Sequence, residues 1–440
     1  MFTYQGFIRY LKNTSWLMAE RLVRMGITFL VIVYIARYLG PGDFGLLNYA
    51  ISIVGVVIIF SQLGLEDVVT RELVNDPDHK NVLLGTGLLL KFSASLIVVL
   101  LLLAILSATS DAFEVLLIMV VACGMLFRAL DVVEYYFRAI VQAKYIAYAN
   151  FAQLFLSSAL KIFLVYFEFE LIWFAIAVLS ESVIRAAFLV WLYLKHSGKL
   201  GSWRVAKEKA YSLLGASWPL LLSGIVVVIY MKIDQIMLKQ MIDNEAVGYY
   251  AAAVQLSEAW YFVPVLVTIS LFPAILASKK VSETLYIERL QKLYDLMAFI
   301  AFIVAVVMSF ASVWLVTLFY GEAFRYSGSI LFIHVWAGMA VFMGVVRGKW
   351  LLTENLQRHE ISLHASGAVI NVLLNIVLIP AYQGRGAAYA TIISYFFATI
   401  ITPIFIPKLR KSVAMILRAY INIFNMGAVR YLYKEIRCTR

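Results

Sequence analysis

Apolar residues recur along this chain in blocks of about 20 or more, at 14–39, 44–64, 82–107, 113–137, 145–167, 171–194, 211–239, 247–277, 291–319, 327–353, 360–380 and 387–407. An α-helix rises about 1.5 Å per residue, so each block is long enough to cross the ~30 Å hydrocarbon layer of a bilayer. The pattern predicts twelve transmembrane helices, six in each half. Connections between the blocks are short, the longest internal ones being Leu65–Asn81 and Lys195–Ala210, which leaves no room for a soluble domain. The predicted fold class is an all-α polytopic membrane protein. An N-terminal lobe covers 1–200, a C-terminal lobe covers 201–410, and a basic amphipathic tail follows over 411–440, read as an interfacial helix and not a thirteenth span.

The first block interrupts its apolar pattern with Glu20, Arg21, Arg24 and Thr28, which fall on one side of a helix at about 100° per residue. A central arginine costs roughly 2.5–3.5 kcal/mol on insertion scales, so this stripe must face a wet cavity or partners inside a bundle. The block ends in the turn Gly40-Pro41-Gly42-Asp43-Phe44-Gly45. A similar plan returns about 200 residues later. There a tryptophan-led helix from Ser217 carries Lys232 and Asp234, then an acidic turn and Val247-Gly248-Tyr249-Tyr250. The chain reads as two halves of common design.

Nine basic residues lie within predicted spans: Arg21, Arg24, Lys91, Arg128, Lys161, Arg185, Lys232, Arg347 and Lys349. Six acids accompany them: Glu20, Asp131, Glu134, Glu181, Asp234 and Glu258. Helical spacing pairs Glu20 with Arg24, Arg128 with Asp131, Glu134 with Arg138 and Glu181 with Arg185, which lowers the cost of insertion. Polar stripes accompany the charges. Arg128, Asp131, Tyr135, Arg138 and Gln142 form one, and Asn150, Gln153, Ser157 and Lys161 another. In the second half, Ser223, Tyr230 and Asp234 align, as do His364, Asn371 and Asn375. Such stripes on several helices predict a hydrated cavity, and the surplus of three bases, concentrated in the first half, suits an anionic ligand. The candidate binding residues are Arg21, Arg24, Arg128, Lys161, Arg185, Lys232, Tyr135, Gln153, Asn371 and Asn375. Lys91, Arg347 and Lys349, nearer the ends of their blocks, are read as snorkelling to the interface. The six acids are candidates for charge balance or for proton or sodium coupling, Asp234 foremost because no base lies three or four positions from it.

Composition sharpens this picture. With 63% hydrophobic and 14% charged residues and a mean hydropathy of +0.88, the chain is unlike a soluble protein, whose apolar share is about half. Its net charge of +11 invites a nucleic-acid partner, but topology absorbs it. With the N-terminus cytoplasmic, inner segments hold 24 Lys and Arg and outer loops hold four, Arg37, Lys239, Arg325 and Arg385. That asymmetry places both termini in the cytoplasm and expects no nucleic acid. Two cysteines, Cys123 and Cys438, give neither a disulfide framework nor metal-ligand spacing, and the N-terminus reads as retained. His359 and His364 are five apart where a helical zinc motif needs four, and Arg347-Gly348-Lys349 lacks the rest of a phosphate-binding loop. No catalytic constellation or cofactor is expected.

Several segments together resemble the polysaccharide transporter family, which includes the O-antigen and repeat-unit flippases of the multidrug/oligosaccharidyl-lipid/polysaccharide exporter superfamily. They are Ile35-Ala36-Arg37-Tyr38-Leu39-Gly40-Pro41 with Phe44-Gly45, Gln62-Leu63-Gly64-Leu65 with Arg71-Glu72, Lys232-Ile233-Asp234-Gln235 with Val247-Gly248-Tyr249-Tyr250, and Asn371 and Asn375 before Leu378-Ile379-Pro380. The resemblance implies two six-helix lobes in a V, alternating access, and a polyprenyl-diphosphate-linked oligosaccharide flipped across the bacterial plasma (inner) membrane for O-antigen, capsule or exopolysaccharide assembly. The expected partners are that lipid-linked cargo and the bilayer, with other polysaccharide-assembly membrane proteins as further candidates, and the expected state is a monomer. Two rivals remain. A drug or cation antiporter of the same superfamily would want an acidic cavity, and a membrane polymerase or ligase would show a large outer loop.

Overall fold

The structure, a computed structural model, describes residues 4–424, with side chains described over 23–423. The predicted charges Glu20 and Arg21 and the tail beyond 424 lie outside the described side chains. The described chain is helical almost throughout. In order the helices are α1 (Tyr4–Gln62), α2 (Leu65–Asn75), α3 (Lys80–Thr109), α4 (Ala112–Arg128), α5 (Val132–Ala139), α6 (Ala143–Tyr166), α7 (Leu171–His196), α8 (Lys207–Met241) and α9 (Asn244–Glu258). They continue with α10 (Phe262–Lys279), α11 (Glu283–Tyr320), α12 (Ser327–His334), α13 (Ala337–Thr353), α14 (Arg358–Tyr382), α15 (Gly384–Phe396), a π-helical turn Phe397–Ile401, α16 (Thr402–Ile404) and α17 (Arg410–Phe424).

Among the described residues ten helices are long and apolar enough to cross a membrane, or eleven if α12 and α13, which meet at a 40° bend, form one span. The difference from twelve arises at the α12–α13 bend and in α1, where two helices that meet at a kink hold the first two predicted blocks. Gly40 stands between them at φ 70° and ψ 177°, a conformation open to glycine. Pro41 then starts the second arm at a position where its missing N–H costs nothing, so the chain kinks instead of unwinding into a turn.

Apolar side chains cover the outside as well as the inside. On α3, Leu96, Ile97, Leu100, Leu101 and Ile105 are 41–62% exposed, a surface that suits hydrocarbon and not water. The chain is a multi-pass membrane protein.

Packing divides the chain into two units, residues 1–232 and 233–440. The predicted boundary at 200/201 falls in a connection that the first unit captures. Arg204 N donates to Asn81 O at 3.1 Å, and Ala206 N donates to Thr86 Oγ1 at 3.1 Å. The first arm of α8 belongs there too. Gly64, at φ 63°, ends α1 so close to that arm that a Cβ would sit 2.8 Å from Ser217 O and Leu221 N.

Leu65–Asn81, predicted as a connection, is mostly helix. Leu65, Val68, Val69 and Leu73 form one buried face of α2, which packs with Val132, Val133 and Phe137 of α5 in the core of the first unit. The core of the second unit joins Tyr286, Leu290 and Tyr294 of α11 with Phe342 and Val346 of α13. Met415, Ile416 and Ala419 of α17 close it from one side, while Arg410, Lys411 and Arg418 of α17 face outward. The described part of the tail is thus an amphipathic helix seated on its own unit.

Candidate functional site

In the first unit, α1, α6 and α7 enclose a cavity of about 200 Å³. Helical periodicity builds its walls. Arg24, Thr28 and Ile32 rise on one face of α1, while Asn150, Gln153, Ser157 and Lys161 rise on one face of α6. Ser158 and Glu181 complete the polar lining, and Val31 and Leu154 supply apolar wall. Two cations, an amide pair and several hydroxyls therefore converge on a space the size of a phosphate group or a sugar ring.

Lys161 is not bare. Its ammonium pairs with Glu181 across α6 and α7, the side chains being 13% and 30% exposed. The spacing expectation that Glu181 would join Arg185 is therefore corrected, because a partner on the neighbouring helix claims it. Arg185 turns instead to Asp131 and Glu134, bridging both carboxylates, and its Nε donates to Asn150 Oδ1 at 3.1 Å. That last bond connects the cavity wall to a buried charge network.

The network holds several expected pairs and one unforeseen member. Arg138 binds Glu134 at 2.5 Å as the i,i+4 spacing requires, and also Glu66 of α2 at 2.5 Å. Arg128 lies 3.6 Å from Asp131, with its own side chain 43% exposed. Asp131 sits in the short 3-10 turn Ala129–Asp131, where the span breaks between α4 and α5 and re-aims the charges. Lys91 is buried and does not snorkel. Its Nζ donates to Tyr135 Oη at 3.0 Å and stands 5.0 Å from that ring's centroid, a cation–π distance. Tyr135 thus serves Lys91 and does not line the cavity. Burial of this many charges is tolerable because each carboxylate has a cation.

The second unit handles polarity differently. Asp234 of α8 is buried and accepts from Tyr250 Oη at 2.7 Å, Thr391 Oγ1 at 2.8 Å and Asn375 Nδ2 at 2.6 Å. Asn375 Nδ2 also meets Asn371 Oδ1 at 3.1 Å. Among the described residues the carboxylate has no cation, and Asn375 Oδ1 is a buried acceptor without a donor. A carboxylate beside an orphaned carbonyl oxygen is chemistry fit for a proton or a small cation. Sequence spacing marked Asp234, Asn371 and Asn375, but missed Tyr250 and Thr391, which reach the carboxylate from α9 and α15.

The remaining candidates stand apart. Lys232, the last residue of the first unit, passes its stem beside Gly55 of α1, and Glu258 is half-buried at the end of α9. Lys349 is exposed as expected, whereas Arg347 is buried and donates to Thr399 O at 2.9 Å and Ala398 O at 3.4 Å. Pro403 has no N–H for the Thr399 carbonyl, and the π turn redirects the Thr402 N–H to Phe397 O, leaving Ala398 without its usual donor. Arg347 replaces both bonds, which is why it stays inside.

The result is a membrane fold of two helical units, each with polar groups buried inside. Solved structures share it. The chain aligns with an inward-facing multidrug resistance MATE family transporter of the MOP superfamily at TM-score 0.68 and 15% identity, covering 91% of this chain and 95% of that one. It aligns with the lipid II flippase MurJ in an inward closed conformation at TM-score 0.67 and 14% identity, covering 93% and 91%. An outward-facing MATE transporter gives 0.61 and 14%, covering 94% and 96%. At these identities the likeness is one of fold. No curated protein matches the sequence. Residues 10–279 match the model of the family described as polysaccharide biosynthesis protein, and the chain belongs to that family.

Proposed function

We propose that this protein is a flippase that carries polyprenyl-diphosphate-linked oligosaccharide across the bacterial plasma membrane by alternating access, with both termini in the cytoplasm. The observation that carries the reading is the cavity of the first unit, where Arg24 and Lys161 meet a wall of amides and hydroxyls in a chain of the polysaccharide biosynthesis family. Cations suit a diphosphate and amides suit sugar hydroxyls. The lipid tail stays in the bilayer, so the protein moves the polar head without breaking a bond and acts as a transporter, not an enzyme. The fold shared with a lipid II flippase supports the same direction.

Coupling belongs to the second unit in this reading. Asp234, held by Tyr250, Asn375 and Thr391, exchanges a proton or sodium ion as access alternates. The fold is equally that of multidrug transporters, but the basic excess in the first unit opposes cationic drugs as cargo. The test is purified protein in liposomes given fluorescent polyprenyl-diphosphate glycan. Translocation without elongation supports the proposal. Elongation of the glycan would overturn it in favour of a polymerase, and movement of cationic dyes alone in favour of an antiporter.

A further inference from the structure

Among the described residues the lining of the first unit's cavity contains one carboxylate, Glu181, and it is spent on Lys161, a lysine suited to grip a negative cargo. An anion entering the cavity therefore meets a site already occupied by an anion. The other carboxylates close by differ in kind. Asp131 and Glu134 have side chains only 11% and 8% exposed and are bridged by Arg185, with Arg138 adding a second grip on Glu134. Glu181 has one cation and is 30% exposed. Releasing it leaves a carboxylate that cavity water already reaches, whereas releasing either of the others strands a charge in the protein interior.

We infer that Glu181 is an internal counter-ion that holds Lys161 in the empty cavity and is displaced by an oxyanion of the cargo. The inference rests on the reading that this cavity receives the cargo. Such an exchange has a function. A lone ammonium among α1, α6 and α7 would be costly whenever the cavity is empty, and a strong permanent grip on the diphosphate would slow its release. A built-in competitor removes both difficulties, and release is completed when Glu181 returns to Lys161. The displacing oxyanion is either the diphosphate or the carboxylate of an acidic sugar, which share the charge and the acceptor geometry.

The experiment measures binding of inorganic pyrophosphate and of glucuronate to full-length protein in detergent at low salt, by calorimetry. Glu181→Gln removes the competitor, and affinity for the displacing oxyanion is expected to rise about tenfold. The gain must vanish in the Glu181→Gln, Lys161→Gln double variant, because no cation is left to compete for. Glu181→Asp, which keeps the charge but shortens the reach, is expected to give a smaller gain and covers the case in which Glu181→Gln does not fold. The oxyanion that responds identifies the part of the cargo seated at Lys161. If folded Glu181→Gln or Glu181→Asp binds both probes no more tightly than the unmodified protein, the inference is wrong. It is equally wrong if the gain survives loss of Lys161. Neither result touches the flippase reading, which the liposome assay tests separately, and a failed liposome assay with the affinity gain intact would leave the counter-ion standing.

Discussion

The two units of this chain hold their most deeply buried carboxylates by different means. In the first, Asp131, Glu134 and Glu181 are each matched by arginine or lysine, and the matched pairs reach from the cavity wall at Asn150 out to Glu66 on α2. In the second, Asp234 has no cation among the described residues and is held by one phenol, one hydroxyl and one amide. Carboxylates bridged in the interior, as Asp131 and Glu134 are by Arg185, are fixed charges, because losing either partner strands the other. A charge held only by neutral donors can be neutralised without breaking an ion pair. On the proposed reading, the Arg185 network is a constant charge behind the Glu181–Lys161 pair that cargo opens, and Asp234 is the charge that changes with access.

Breaking the first unit's pairing should do the most damage. Arg185→Leu leaves Asp131 and Glu134 short of their shared cation and is expected to cost about 3–5 kcal/mol, read as a large fall in the thermal midpoint of the detergent-solubilised protein. An unchanged midpoint would mean that the network is not structural. The comparison sharpens at Arg347, a cation in the second unit that donates to backbone carbonyls. Arg347→Leu exposes the Ala398 and Thr399 carbonyls to a dry interior and should cost about 1–3 kcal/mol, with Arg347→Lys recovering part of it.

Smaller still in stability, yet decisive in function, is Asp234→Asn. The amide keeps the shape and can still bond to Tyr250 and Thr391, so stability should change by no more than about 1 kcal/mol. If Asp234 is the coupling group as proposed, transport by the variant should ignore imposed proton and sodium gradients to which the unmodified protein responds. A full response to both gradients in Asp234→Asn would place coupling elsewhere. Gln153→Ala removes one amide from the cavity wall and should shift the thermal midpoint least of all, within about 0.5 kcal/mol, while weakening uptake of labelled glycan.

The spans were legible because length and hydropathy are local properties, and predicted blocks such as 145–167 and 171–194 fall within a residue or two of α6 and α7. The amphipathic α2 was also written in the sequence, as Leu65, Val68, Val69 and Leu73, but a search for long apolar blocks passes over a short half-polar helix. Charges were legible where both partners share one helix, as with Glu134 and Arg138. They were not where two partners compete. Spacing allows Glu181 to meet Arg185, and only the packing of α6 on α7 decides that Lys161 wins. Arg347 is the sharpest case. Pro403 announced a missing donor, but which side chain would supply one depends on how α13 lies against the π turn.

The central claim is that the first unit's cavity, through Arg24 and Lys161, grips the negative head of a lipid-linked glycan. Its most direct measurement is the rate at which Arg24→Ala, Lys161→Ala and the double variant move fluorescent polyprenyl-diphosphate glycan across liposomes, at equal levels of folded protein. Each single variant is expected to lose at least about tenfold in rate, about 1.4 kcal/mol in barrier height, and the double variant to show no transport above empty liposomes. A double variant that transports at the unmodified rate would contradict the claim outright.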